Sequence, residues 1–232
     1  MIPASSDTIE FAVLIAFLAF FSVVVYRRKS LDTEGILVAD MLGLLTYLLG
    51  KDTSVGGLGA FATLLVFFFV GEAATRIVKK KKSHEVRSTR NVVMNSAGGL
   101  LALLLQSPAG FFGAIAAVTS DTVSSEIGPL DKHKPWLITN FKPVNHGMDG
   151  AISPMGLLAG IGSAALLGAF CFLLLHNKKM ALATLVAGVI GNLVDSLAGA
   201  VLQKHEAISN AEVNLICGIS GGIAGALIFA WL

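Results

Sequence analysis

A chain of 232 residues that is 54% hydrophobic and only 14% charged carries little more than half the charge of an ordinary soluble domain. It has too little polar surface to cover a water-soluble core. Its 17 basic and 15 acidic side chains leave a net charge of +2, so no nucleic-acid partner is expected. The two cysteines, Cys171 and Cys217, both sit in apolar runs, which argues against a disulfide framework or a cysteine metal site.

Apolar runs recur at about 9–26, 35–50, 58–75, 91–106, 109–128, 151–175, 180–202 and 213–232. A helix needs roughly 20 mostly apolar residues to cross about 30 Å of hydrocarbon. The expected fold is therefore all-α: a polytopic transmembrane helical bundle of about eight spans, forming a single integral membrane domain over 1–232. The 25 glycines suit close helix packing in lipid. The first run follows acidic residues (Asp7, Glu10) and precedes Arg27 and Arg28. That reverses the layout of a signal peptide and reads as a retained span. Asp40 lies inside the second run and suits a structural hydrogen bond as well as a site. The third run closes on Glu72 and Arg76, spaced for a local ion pair.

A basic stretch then extends to Arg90. Its lysines fit anchoring against anionic headgroups, whereas Arg87 and Arg90 directly precede the polar-faced fourth run and are candidates for holding a phosphate. With the N-terminus outside, the inner connections at about 27–34, 76–90, 129–150 and 203–212 hold 14 of the 17 basic residues. The positive-inside rule then places both termini outside.

Polar residues interrupt the later runs. In the fourth, Asn91 and Asn95 are four apart; in the fifth, Asp121 and Ser125 share a helix face beside Thr122 and Glu126. Unpaired carboxylates are costly in a bilayer unless they bind a cation, face a wet cavity or pair with a base. Downstream come Lys142, then Asn145-His146-Gly147-Met148-Asp149-Gly150, then Ser153 at the start of the sixth run. The glycines would let the backbone approach an anion, and the amides opening the sixth span could hold phosphate oxygens. The seventh run places Asn192, Asp195 and Gly199 near one face, and Asn210 and Asn214 frame the start of the eighth. In the chosen topology these positions all lie towards the cytoplasmic side, which predicts one shared cavity there. Paired carboxylates can hold magnesium, and magnesium neutralises phosphate oxygens. The residues alone leave phosphoryl transfer, transport of ions or phosphate-containing lipids, and a non-catalytic assembly role all open.

The segments RSTRNVVMNSAGG (87–99), DTVSSEIG (121–128), PWLITNFKPVNHGMDGAIS (135–153) and NLVDSLAGAVLQ (192–203) together resemble a family of integral membrane proteins defined by an uncharacterised domain. That family includes the plant phytyl-phosphate kinases, and it is more distantly similar to CTP-dependent polyprenol and phytol kinases. The resemblance runs from about the second span to the end. It implies a membrane-embedded enzyme that transfers a phosphoryl group from CTP or another nucleoside triphosphate to an isoprenyl monophosphate, with magnesium as cofactor. Partners would be nucleotide, isoprenyl monophosphate and membrane lipid, and a homo-oligomer is compatible with this reading. Carried over by position, Asp121, Glu126 and Asp195 are candidate metal ligands. Asp121, Asp195 and Lys142 are candidate catalytic groups. The candidate phosphate and nucleotide contacts are Arg87, Arg90, Asn91, Asn95, Ser125, His146, Gly147, Asp149, Gly150, Ser153, Asn192, Gly199 and Asn214. Met148 and Asp149 depart from the family's usual glycine-rich turn, which more often reads GTxGGxS, and so does Asn145-His146 before it.

Overall fold

The computed structural model describes residues 6–79, 89–203 and 205–232. Eight long helices form in chain order: α1 (Ser6–Arg28), α2 (Thr33–Gly50), α3 (Gly57–Lys79), α4 (Thr89–Leu104), α5 (Pro108–Ile127), α6 (Pro154–Leu175), α7 (Lys178–Ala198) and α8 (Asn210–Trp231). Local chemistry sets several of their starts. Asp32, Ser107, Ser153 and Asn177 each accept a backbone N–H of the first turn, and proline occupies the first helical position of α5 and α6. At α8, Glu212 accepts from the backbone N–H of Ser209 at 2.7 Å and from its hydroxyl at 2.9 Å.

Eight helices form where about eight spans are expected, but not all of them have the length and composition of a span. Among the described residues, six helices are long and apolar enough to cross a membrane: α1, α2, α3, α6, α7 and α8. The two exceptions have different causes. α4 has only 16 residues and carries Asn91, Asn95 and Ser96. α5 has 20 residues, but it ends in a polar, acidic turn. It tolerates that composition because it is the centre of the bundle, packed against α3, α4, α6, α7 and α8. Every residue from 109 to 120 is buried. A helix enclosed by other helices need not be apolar enough for lipid.

Small residues make that enclosure possible. A methyl on Gly221 would stand 2.7 Å from the Gly113 carbonyl oxygen, and one on Gly98 would stand 2.8 Å from the Gly218 carbonyl oxygen. The backbones of α4, α5 and α8 therefore approach too closely for any side chain at these crossings. The sixth run also starts later than its composition suggests. Residues 151–152 form strand β2 (Ala151–Ile152), antiparallel to β1 (Trp136–Leu137). The helix begins at Pro154 because Ser153 caps it.

Candidate functional site

The starts of α4, α6 and α8 and the ends of α5 and α7 meet at one end of the bundle, so successive helices from α4 to α8 alternate in direction. Between them lies a polar cleft of about 360 Å³. Its wall takes Asn91 and Asn95 from α4, Asp121, Ser125 and Glu126 from α5, Asn192 and Asp195 from α7, Gly199 just beyond α7, and Asn214 from α8. The connection before α6 adds His146, Gly147, Asp149, Gly150 and Ser153. Residues more than a hundred positions apart in the chain thus share one space.

Asp121 and Asp195 stand close enough for their carboxyl groups to interact directly. Asp195 Oδ2 is buried and has no hydrogen-bond partner. Two carboxylates so placed repel unless a cation or a shared proton lies between them. Among the described residues no Lys or Arg pairs with either of them. Beside them, Asn192 donates to the Ser120 hydroxyl at 3.1 Å, which fixes the amide at the floor of the cleft. Glu126 accepts from the Thr75 hydroxyl of α3 at 2.9 Å.

The connecting segment is fastened over the cleft rather than hanging free. Asp131 accepts from the backbone N–H groups of His133 and Met155, each at 3.0 Å. Ser153 donates to the Gly128 carbonyl at 3.3 Å, and Gln203 donates to Asp149 at 2.9 Å. Gly147 and Gly150 have φ of +83° and +75°, values that favour glycine. Gly150 lies directly on the backbone of Ala200, in a widened, π-type turn that continues α7 over 199–203. Such turns concentrate at functional sites.

A family model described as "Integral membrane protein DUF92" matches residues 16–224. The chain belongs to the DUF92 family. Among its relatives is "Uncharacterized membrane protein MJ0933" of Methanocaldococcus jannaschii, 37% identical over 239 residues that cover 97% of this chain and 96% of that one. "Protein VTE6, chloroplastic" of Arabidopsis thaliana is 30% identical over 98% of this chain and 74% of its own. "Protein PGR" of the same plant is 30% identical over 83% of this chain and 78% of its own. No solved structure matches this DUF92 chain.

Two basic candidates stand apart from the cleft wall. Lys142 is exposed on the connecting segment and Arg90 is exposed at the start of α4; neither lines the cleft. Arg90 pairs with Glu212 at 3.4 Å. Arg87 lies outside the described residues. The expectation that the opening amides of α6 hold phosphate is also corrected. Pro154 has no N–H, Met155 donates to Asp131, Gly156 donates to the Ser153 hydroxyl, and Leu157 donates to the Ser153 carbonyl. Those donors are already used.

The cleft wall also includes Thr122 and Asn210, which the sequence places beside Glu126 and Asn214, together with Ser124, Ser196 and Gln203. Ser196 was within reach of the sequence, since it sits beside Asp195. Gln203 was not, because only the π-type turn brings it back to Asp149.

Among the described residues, no group of three or more His, Cys, Asp or Glu side chains forms a metal cage. Glu126 therefore does not join Asp121 and Asp195 in a three-carboxylate set. Magnesium does not require one: it commonly takes one or two carboxylates and fills its remaining positions with water and substrate phosphates. The carboxylate pair, with one buried oxygen unmatched, fits that demand.

Proposed function

We propose that this protein transfers the terminal phosphoryl group of CTP or another nucleoside triphosphate to an isoprenyl monophosphate, giving the diphosphate. One observation carries the reading. The cleft is lined by Asp121, Glu126, Asp149 and Asp195 and by five asparagines, with no Lys or Arg among its described lining residues. A bare phosphate would be repelled by that wall, whereas a phosphate complexed with a divalent cation would be welcomed. The plant phytyl-phosphate kinases identified by the sequence resemblance, together with family membership, supply the reaction class.

Asp121 and Asp195 would hold magnesium, while Glu126, held by Thr75, adds negative charge to the wall beside them; bound there, the ion would neutralise the phosphate oxygens in flight. Asn91, Asn95 and Asn214 donate to phosphate oxygens. Ser125, His146 and Ser153 complete the polar wall. The Gly147–Gly150 turn lets the triphosphate approach the backbone, and Gly199 leaves room beneath it. Asn192, held by Ser120, keeps the floor in place. Lys142 and Arg90 raise the local concentration of anions at the mouth. The acceptor monophosphate is already ionised, so its oxygen attacks the γ-phosphorus without a strong general base. The new P–O bond forms as the bond to the nucleoside diphosphate breaks. Catalysis is alignment and charge neutralisation. The site is assigned to the cytoplasmic side, with both termini outside.

Purified protein should convert geranylgeranyl or phytyl monophosphate to the diphosphate with nucleotide and magnesium, read by product mass. Asp121→Asn and Asp195→Asn should each lower kcat/KM by at least about 100-fold, or ~2.7 kcal/mol of barrier. Turnover that survives both substitutions together refutes the metal roles. The same acidic wall also suits a cation or lipid-phosphate transporter. Gradient-driven uptake into vesicles without product formation would establish that reading instead.

A further inference from the structure

α3 and α4 both pack against α2 and α5. Among the described residues they make almost no backbone contact with each other. The gap between them holds an apolar crevice of about 60 Å³. Its walls are Leu64 and Phe68 of α3, Val92 and Ser96 of α4, Gly43 of α2 and Phe21 of α1. α4 is the partition between this crevice and the polar cleft. Asn91 and Asn95 face the cleft, while the next residues round the helix, Val92 and Ser96, face the crevice. α3 lines the crevice through Phe68 and touches the cleft only indirectly, where Thr75, two turns further on, donates to Glu126 of the cleft wall.

From this adjacency across α4 we infer that the crevice between α3 and α4 receives the hydrocarbon chain of a lipid phosphate whose headgroup occupies the cleft. The inference rests on the proposed function for the identity of the headgroup. An amphiphile with a phosphate in the cleft must place its tail somewhere apolar. The crevice is the apolar space on the opposite face of α4 from the cleft.

The free volume is far below that of a twenty-carbon chain, so one wall must yield, and α1 is that wall. Its backbone packs appreciably only on α2. Its contacts with α3 are made by side chains: the ring pairs Phe17 on Phe61 and Phe21 on Phe68, with centroids 5.8 and 4.9 Å apart, within apolar clusters that also hold Leu14, Leu18 and Val25. Elements with few backbone contacts are the ones that open locally. Outward movement of α1 would admit the chain sideways from the lipid.

The test uses geranylgeranyl monophosphate carrying a diazirine at its far end, photolysed with the whole purified protein and mapped by mass spectrometry. Labelling of α1, α2 or α3 at residues facing the crevice is expected, and it should be competed by unmodified geranylgeranyl monophosphate. Labelling confined to the lipid-facing sides of α6 and α8, such as Leu158 or Ile223, overturns the inference. Labelling needs no turnover, so it stands or falls separately from the kinase reading. A second arm uses Ser96→Phe, which fills the crevice from α4. Crevice labelling should drop at least tenfold, and where turnover is measured, the ratio of kcat/KM for twenty-carbon over five-carbon acceptors should fall by the same factor. An unchanged ratio or unchanged labelling in a variant that elutes and melts like the parent refutes it.

Discussion

Gly150→Ala isolates the attachment of the connecting segment to α7. A methyl at position 150 would stand 2.7 Å from both the backbone nitrogen and the α-carbon of Ala200. Those are main-chain atoms and cannot rotate aside. Overpacking of this kind costs about 1–3 kcal/mol. The φ of +75° adds about 1–2 kcal/mol for a non-glycine residue, giving a penalty of about 2–5 kcal/mol. The hydrogen bond opposing release from α7 is that between Gln203 and Asp149 at 2.9 Å, worth about 1 kcal/mol net. The penalty exceeds it, so the segment should detach from α7.

Gly147→Ala is the matched control. Its φ is +83°, but nothing lies within 4 Å of an added methyl, so only the conformational cost of about 1–2 kcal/mol applies. Hydrogen exchange of the peptide covering 145–153, followed by mass spectrometry, reads the difference. Gly150→Ala should exchange at least about 30-fold faster than the parent, the equivalent of ~2 kcal/mol. Gly147→Ala should change by clearly less. Adding Ala200→Gly should rescue little, because the two closest main-chain atoms remain. Equal exchange in the two alanine variants, or full rescue by Ala200→Gly, would refute the docking argument.

Gly98→Ala should separate α4 from α8, because its methyl would lie 2.8 Å from the Gly218 carbonyl oxygen and 2.9 Å from the Ile219 nitrogen. A loss of about 1–3 kcal/mol should appear as a lower Tm together with lower kcat/KM, since Asn95 and Asn214 sit on those two helices. Asn192→Ala leaves the buried Ser120 hydroxyl without this partner; a cost of about 1–3 kcal/mol in thermal stability is expected. The N–H groups of His133 first and Met155 second hold the Asp131 carboxylate below its ordinary value of 3.8. A depressed carboxylate contributes its anchoring fully above the unfolded value and loses it as pH falls through the folded one. Protection of the Met155 amide should therefore persist down to about 3.8 and fall only beneath it, while Asp131→Ala should show no such step.

The convergence of polar positions was legible because two rules act over short range. A helix repeats every 3.6 residues, which put Asn91 with Asn95 and Asn192 with Asp195 on common faces. Alternating spans then bring the end of one helix level with the start of the next. What was not legible depends on partners distant in sequence. Asp131 takes the Met155 amide from 24 positions away, so the opening of α6 has the sequence of an anion cradle without its free donors. The exposed position of Lys142 goes with an irregular turn in which its N–H donates to Asn140 and its carbonyl accepts from Leu137, contacts that leave no periodic trace. The standing of α5 as an enclosed helix depends on glycines in α4 and α8, where composition shows only that some close packing occurs.

The two halves of the bundle differ in a way that bears on how such a site can work. Around α5, backbone meets backbone at Gly113 and Gly221 and at Gly98 and Gly218. Close-packed contacts of this kind resist displacement, and they hold the elements that present Asp121, Asn95 and Asn214. On the far side of α4, α1 rests on α2 and on aromatic rings of α3, and rings can repack. A phosphoryl-transfer site needs its carboxylates fixed to within a fraction of an ångström, while a lipid substrate needs an opening towards the bilayer. A uniformly glycine-packed bundle would meet the first need and block the second. A uniformly loose one would admit the lipid but leave Asp121 and Asp195 free to swing apart. With α4 as the partition, its Asn91–Asn95 face belongs to the rigid half and its Val92–Ser96 face to the yielding one, so movement of α1 need not disturb the carboxylates.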